Sequence, residues 1–326
     1  MNSKTTVIFH SADFDGIFCR EIARKFLPDA DLIGWDWADA KIPFPKEGTV
    51  YVLDLSPDCF ETITFEDALR LIWIDHHKSA IDKYAKHEPP LTGYQVDGVA
   101  ACRLAWQWFN LPRIGGTVTA ITKEDFIDRK VTEPLAVRLA GEYDIWDKRD
   151  PSADVFQFGL RSQDLDGWWP AMLSDEATAT VAEIENRLEQ GSKFDLLPNG
   201  NIKVPGLGDR VVKMLLKNGA LLMRYQREID ASVVNYRSFM VEFEGLKFLT
   251  LTTARCNSLT FDAKDLPETG HDALMAFYFN GENWNVSLYH AKHRKDLDLS
   301  TIAVKYGGGG HRGACGFRTS KLPFLP

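Results

Sequence analysis

The sequence predicts an α/β protein with two domains. The N-terminal domain is built on a mostly parallel sheet with flanking helices, and the C-terminal α/β domain is smaller. Three observations predict this class. Short apolar runs alternate with helix-like segments in the first third, apolar runs follow one another in the last third, and turn-forming residues fill 191–209. The predicted domains are residues 1–190 and 231–326, joined by a linker and connector helix over 191–230.

The predicted strands of the N-terminal domain are short runs rich in β-branched and aromatic residues. They cover residues 6–9, 32–35, 49–53 and 71–74. Helix-like spacing over 16–26 follows the first strand, as a parallel sheet requires. Because ligands of such sheets gather beyond the carboxyl ends of the strands, we expect a functional site at that edge.

Helical patterns dominate the middle of the chain and strands return at its end. The predicted helices cover 99–108, 133–140, 181–189 and 211–229. The later strands cover 248–251, 273–279 and 284–288, and the last two are separated by the hairpin signal Asn280-Gly281-Glu282-Asn283. A helix over 299–306 precedes four glycines, and the turn residues of 191–209 favour a hairpin or loop.

The composition indicates a folded, water-soluble protein. The 326 residues have a formal net charge of −8, and no apolar run approaches the roughly 20 residues of a membrane span. The polar start of the chain has no signal-peptide pattern, and the five cysteines are scattered, so we expect a cytoplasmic protein without disulfides or a zinc site built from cysteines. The negative charge disfavours grip on long nucleic acid but permits a small phosphorylated ligand.

Acidic and histidine residues directly follow three of the predicted strands. They are His10, Asp13 and Asp15 after the first strand, Asp54 after the third, and Asp75, His76 and His77 after the fourth. Carboxylates crowded at one sheet edge repel one another, and bound cations relieve this repulsion. Each cluster alone could be a turn or a helix cap, but three together favour a two-metal site, and mixed imidazole and carboxylate ligands suit Mn²⁺, Fe²⁺ or Zn²⁺.

The glycine run over 307–310 has a chemistry of its own. Successive glycine amides can form an anion-binding nest, to which His311 and Arg312 would add donors. A flexible loop is the alternative interpretation. Arg255, which follows a predicted strand, is a further candidate for substrate binding. The tryptophans at 35, 37, 106 and 108 are expected in the core rather than as base-stacking platforms.

These motifs resemble a known family. The Asp75-His76-His77 segment, with the upstream histidine and aspartates, is similar to the DHH phosphoesterase superfamily. That superfamily includes RecJ-type exonucleases, nanoRNase-type oligoribonucleases, cyclic-dinucleotide phosphodiesterases and family II inorganic pyrophosphatases. Residues 307–317 resemble the glycine-rich motif of the associated DHHA1 domain, so the resemblance covers both ends of the chain. It implies a DHH catalytic domain followed by a DHHA1-like substrate-binding domain.

The resemblance also implies roles for individual residues. One divalent ion would be held by His10, Asp13 and Asp54. A second would be held by Asp15, Asp54, His76 and one further aspartate, for which we choose Asp144, with Asp147 as the alternative. His77 would lie beside the substrate phosphate, and Asp75 would orient the histidines. Mn²⁺ is the favoured ion, with Mg²⁺, Fe²⁺ and Co²⁺ as alternatives.

The resemblance implies substrate binding by the glycine-rich segment. The residues concerned are Gly308, Gly309, Gly310, His311 and Arg312. The chain departs from the family at two places. Many members have one more residue between the first histidine and the aspartate pair, and some carry an arginine where this chain has Tyr289-His290.

The expected activity is hydrolysis of a phosphodiester in a short oligonucleotide or small dinucleotide, through a water activated by two metals. One alternative is a phosphomonoesterase or pyrophosphatase acting on a small phosphorylated metabolite. The other is a catalytically degenerate, nucleotide-binding regulatory protein. No membrane and no long nucleic acid is expected as a partner, and a homodimer is left open.

Overall fold

The computed structural model describes residues 4–37, 39–110, 113–114, 117–118, 121–174, 176–178, 195–196, 201–254, 256, 260–261 and 270–325. The chain divides into two compact units, residues 1–222 and 223–326. Among the helices within these ranges, none has the length and apolar character needed to cross a bilayer.

The N-terminal unit contains a five-stranded sheet in which all neighbouring strands are parallel, in the order β2-β1-β3-β4-β5. Its strands are β1 (Thr5–His10), β2 (Asp31–Trp35), β3 (Thr49–Leu53), β4 (Leu71–Asp75) and β5 (Thr92–Gln95). The four predicted strands are present, and the prediction of a parallel α/β sheet is confirmed.

Helices cover both faces of this sheet because side chains alternate along each strand. In β1, Val7 and Phe9 join one apolar core, while Ile8 joins the core on the opposite face. The helices of this part of the chain are α1 (Phe14–Phe26), α2 (Phe65–Arg70), α3 (Lys78–Tyr84) and α4 (Ala101–Asn110), and a short 3₁₀ helix covers Pro57–Cys59.

The rest of the N-terminal unit is helical with short strand pairs. Its helices are α5 (Lys123–Ile127), α6 (Leu135–Asp144), α7 (Ser152–Leu160) and α8 (Trp169–Ser174). Its short strands are β6 (Arg113–Ile114), β7 (Thr117–Val118), β8 (Glu176–Thr178), β9 (Asp195–Leu196) and β10 (Asn201–Lys203). Strands β9 and β10 pair antiparallel, as the predicted hairpin requires. The helix predicted over 181–189 lies outside the described residues.

A long helix, α9 (Leu207–Arg237), runs across the division between the units. The C-terminal unit has a mixed six-stranded sheet in the order β11-β12-β13-β14-β16-β15. Its elements are β11 (Phe239–Phe243), β12 (Leu246–Thr252), β13 (Ala273–Phe279), β14 (Trp284–His290), α10 (Ser300–Lys305), β15 (Gly309–His311) and β16 (Ala314–Thr319). The predicted hairpin between β13 and β14 is present, and the second α/β unit is confirmed.

Candidate metal centre

The register of the parallel sheet brings three chain segments to one edge. Phe9 pairs with Leu53, and Leu53 pairs with Ile74, so the residues that follow them lie side by side. These residues are His10, Asp54 and Asp75. Residues far apart in the chain therefore meet where parallel-sheet proteins place their ligands.

Asp54 lies at the middle of this cluster. Its Oδ2 is 3.4 Å from Nδ1 of His10, and its Oδ1 is 3.3 Å from Nε2 of His76. The residue is 1% exposed, and neither carboxylate oxygen accepts a hydrogen bond from a group that the structure describes. Its φ of 58° is in the left-handed region, which is costly for a residue other than glycine. Asp54 thus presents one unsatisfied oxygen to each of two histidines.

His10, Asp13 and Asp54 form one group of possible metal ligands, each with a ligand atom within 4.8 Å of the others'. Nδ1 of His10 lies 2.9 Å from Oδ2 of Asp13. The other oxygen of Asp13 accepts a hydrogen bond from the Gly16 amide at 3.0 Å, which caps α1. The helix cap fixes the Asp13 carboxylate and leaves one oxygen facing the histidine.

Asp15, His76 and Asp144 form a second group. Nε2 of His76 lies 3.7 Å from Oδ2 of Asp15 and 3.2 Å from Oδ2 of Asp144. The Asp15 carboxylate also accepts hydrogen bonds from the amides of Ala101 and Cys102, both at 2.8 Å. These amides belong to the first turn of α4, where the helix dipole favours a negative charge. This stabilisation of Asp15 by a helix distant in sequence is not evident from the sequence.

Asp144 and Asp147, the two candidates for the last metal-binding aspartate, have different surroundings. Asp144 is the final residue of α6 and lies beside His76. The Asp147 carboxylate instead forms an ion pair with Arg149. Helix α6 ends at Asp144, and Trp146, which lies between the two aspartates in sequence, has a φ of 57°.

Asp75 holds His77 in place. Its Oδ1 lies 2.7 Å from Nδ1 of His77 and accepts a hydrogen bond from the His76 amide at 2.8 Å. An imidazole held through Nδ1 has its Nε2 at the opposite side of the ring. The side chain of His77 is 29% exposed, so it can meet a ligand.

The electrostatics of the cluster favour bound cations. Burial, and next the charge of Asp15, raise the pKa of Asp54 well above its usual value, and the same two causes raise the pKa of Asp144. Burial opposes protonation of His10, but its interactions with Asp13 and Asp54 raise its pKa to about 11. Crowded carboxylates thus attract positive charge, and their unsatisfied oxygens match the ligands of divalent ions. The residues present therefore fit the binding of divalent cations.

One residue beside this cluster, Asp36, was not among the predicted site residues. Asp36 follows β2, and its Oδ1 lies 3.5 Å from Nε2 of His10. The polar residue after the second predicted strand is the sequence signal that could have indicated it. The next residue, Trp37, was expected in the core but is 53% exposed, whereas Trp35 is buried as expected.

The glycine-rich segment lies in the C-terminal unit, where it follows α10 and contributes to β15. The Gly307 amide donates to the Val304 carbonyl at 3.0 Å and the Gly308 amide donates to the Ala303 carbonyl at 2.8 Å. These two bonds and the φ of 78° at Gly307 form a Schellman motif that ends α10. The Gly307 and Gly308 amides are therefore bonded at the end of α10, and the substrate-binding role of this segment stays a prediction.

The other predicted substrate-binding residues of this unit have structural partners or lie outside the description. Gly309, Gly310 and His311 form β15, which pairs with β16. Arg312 donates to the carbonyl of Asp296 at 2.8 Å. Arg255 lies outside the described residues. Substrate binding by Gly308, Gly309, Gly310, His311 and Arg312 stays a prediction.

No family model matches the chain. A curated relative, the uncharacterized protein R106 of Acanthamoeba polyphaga mimivirus, is 26% identical over 186 residues, which are 54% of this chain and 40% of that protein. The chain thus aligns with less than half the length of this relative.

Solved structures include similar proteins with described activities. A pGpG-specific phosphodiesterase of Vibrio cholerae is 13% identical, with a TM-score of 0.46 over 97% of this chain and 93% of that one. RecJ of Thermus thermophilus in complex with Mn²⁺ is 14% identical, with a TM-score of 0.41 over 97% of this chain and 49% of that one. These solved structures are similar to this chain in fold. At these identities, the function of the chain is inferred from its own site rather than from these neighbours.

Proposed function

We propose that this chain is a metal-dependent phosphodiesterase that hydrolyses short oligonucleotides or small dinucleotides. The observation that carries the proposal is the position of Asp54. Its two buried oxygens face His10 and His76, and neither accepts a hydrogen bond from a described group. A carboxylate with this environment fits a bridge between two divalent ions, and the motif resemblance indicates phosphoester hydrolysis.

The two groups of ligands would each hold one ion, and Mn²⁺ is the ion we propose. His10 and Asp13 would complete the first site, and Asp15, His76 and Asp144 the second. Two bound ions supply an activated water and neutralise charge on the phosphoryl oxygens. Hydrogen bonds from Gly16 to Asp13 and from α4 to Asp15 hold these carboxylates in position.

His77 is the residue best placed to meet the substrate phosphate. Burial opposes its protonation, but the hydrogen bond with Asp75 raises the pKa of His77 above its ordinary value. A protonated imidazole donates a hydrogen bond to a phosphate oxygen and stabilises negative charge there. Asp75 would keep the ring oriented throughout the reaction.

The substrate class follows from charge and organisation. A formal net charge of −8 disfavours binding of a long phosphate backbone, so we propose short substrates. We also propose that the protein acts in the cytoplasm. We further propose residues 1–190 as the catalytic domain, 191–230 as linker and connector, and 231–326 as the substrate-binding domain. The structural division at residues 222 and 223 falls inside α9, the proposed connector.

The test is hydrolysis of a substrate panel with added Mn²⁺, measured by chromatography. The panel contains pyrophosphate, a 3′,5′-bisphosphorylated nucleoside, a cyclic dinucleotide, linear dinucleotides and long RNA and DNA. We expect turnover of the dinucleotides, and loss of turnover after treatment with EDTA. Turnover of pyrophosphate alone would indicate a pyrophosphatase, and ligand binding without any turnover would indicate a regulatory protein.

A further inference from the structure

The six-stranded sheet of the C-terminal unit has one face that is only half packed with apolar residues. Leu249, Leu274 and Tyr289 lie side by side on this face in the strand register. They pack with Val234 and Phe261 in a small apolar cluster. Further along the same strands, the side chains on this face become polar.

A pocket of about 460 Å³ lies on the polar half of this face. Its lining includes Tyr278, Asn285 and Arg318, which occupy one row across β13, β14 and β16. Gly308 and Gly316 also line it. A Cβ on Gly308 would lie 2.0 Å from the Gly316 carbonyl oxygen, so the close approach of these two segments requires glycine.

The Arg318 and Asn285 side chains in the pocket have hydrogen-bond donors available for a ligand. Nε of Arg318 donates to Oδ1 of Asn285 at 3.1 Å, and Arg318 forms no ion pair with any residue in the described ranges. Nδ2 of Asn285 is buried and finds no acceptor among the described groups. No acidic side chain is among the described residues that line the pocket. Such a pocket fits a ligand rich in acceptors and negatively charged, which is the chemistry of a phosphate group.

We propose that this pocket binds a nucleoside monophosphate. The phosphate would lie on the Arg318 guanidinium and the Asn285 amide, and the base would stack against the Tyr278 ring. The volume is within the range of small-molecule sites. The pocket shares Gly308 with the predicted substrate-binding segment, but it lies at the opposite end of β16 from Ala314, the residue that pairs with His311.

The test is calorimetric binding of adenosine 5′-monophosphate to the 326-residue protein in EDTA, so that neither bound metal nor hydrolysis is needed. Inorganic phosphate and adenosine are titrated in parallel. We expect adenosine monophosphate to bind more tightly than either fragment. Arg318→Gln should weaken its binding at least about tenfold, because a charged hydrogen-bond donor is lost. Tyr278→Ala should weaken binding of the nucleotide but not of inorganic phosphate.

Lys321→Gln is the matched control, because it removes the same charge from an exposed position outside the pocket. It should leave nucleotide binding unchanged. Equal binding by wild type and Arg318→Gln, or equal binding of phosphate and nucleotide, would overturn the proposal, as would failure of the wild type to bind. A protein that binds the nucleotide here but lacks hydrolytic activity would contradict only the proposed function.

Discussion

Nε2 of His76 lies 3.2 Å from Oδ2 of Asp144, although 68 residues separate them in the chain. The contact joins the end of β4 to the end of α6. It distinguishes Asp144 from Asp147, which pairs with Arg149. The two aspartates therefore form a matched pair for testing the proposed second ion site.

Asp144→Asn should lower Mn²⁺ affinity and hydrolytic activity by at least about tenfold, because an amide is a weaker ligand than a carboxylate. Asp147→Asn should leave Mn²⁺ affinity close to that of the wild type. Calorimetric titration with Mn²⁺ measures both variants. A stronger effect of Asp147→Asn than of Asp144→Asn would reverse the assignment.

Asp54→Asn and His76→Ala should each reduce kcat by at least about a hundredfold, because each removes a ligand from a two-metal site. Bound manganese, measured by elemental analysis, should fall in parallel. Circular dichroism and thermal unfolding serve as controls for folding. Near-wild-type turnover in either variant, with unchanged metal content, would refute the role of that residue.

Asp36 is expected to position His10, since its carboxylate lies 3.5 Å from Nε2 while Nδ1 faces Asp13 and Asp54. Asp36→Asn should weaken Mn²⁺ binding by about 10- to 100-fold, as do other changes in groups that orient metal ligands. The asparagine can still accept the hydrogen bond from the Trp37 amide, so the local fold should persist. Unchanged Mn²⁺ affinity would show that Asp36 does not position the histidine.

Gly16→Ala should lower the free energy of unfolding by about 1–3 kcal/mol, because overpacking forces a backbone shift. The added Cβ would lie 1.9 Å from the His10 carbonyl oxygen. Gly167→Ala is the control, since its Cβ would meet no atom within 4 Å, and it should change stability by less than about 0.5 kcal/mol. Urea denaturation compares the two. Equal stabilities of these variants would contradict the close approach of α1 to the end of β1.

The preference for short substrates is tested by kcat/KM for a dinucleotide and for a strand of about 20 nucleotides at two salt concentrations. We expect the higher value for the dinucleotide, with little dependence on salt, because a chain of net charge −8 offers little grip on an extended backbone. A higher value for the long strand that falls steeply with salt would indicate a nuclease that tracks single strands.

Much of the N-terminal sheet was predictable because its signals are local. An apolar strand and a helix that returns the chain are encoded within about 30 residues, and parallel order then brings the strand ends together. The clustering of Asp13, Asp54 and His76 follows from this rule. The division of the C-terminal unit into strands and a hairpin was equally local.

The surroundings of the site aspartates depend on which segments distant in sequence pack together, so only the tertiary structure shows them. Asp144 and Asp147 are the same residue type and three positions apart in the sequence, so only the contact of the end of α6 with His76 distinguishes them. The stabilisation of Asp15 by α4 likewise joins segments more than 80 residues apart.

By itself, the sequence determined the α/β class, the parallel sheet and the acidic, histidine-rich edge, because each depends on residue type and short-range periodicity. Only the tertiary structure decided how the Asp54 oxygens face two histidines, and that the Gly307 and Gly308 amides are bonded at the end of a helix. A glycine amide or a carboxylate has several possible partners. The folded chain selects among them by placing particular donors and acceptors within hydrogen-bonding distance.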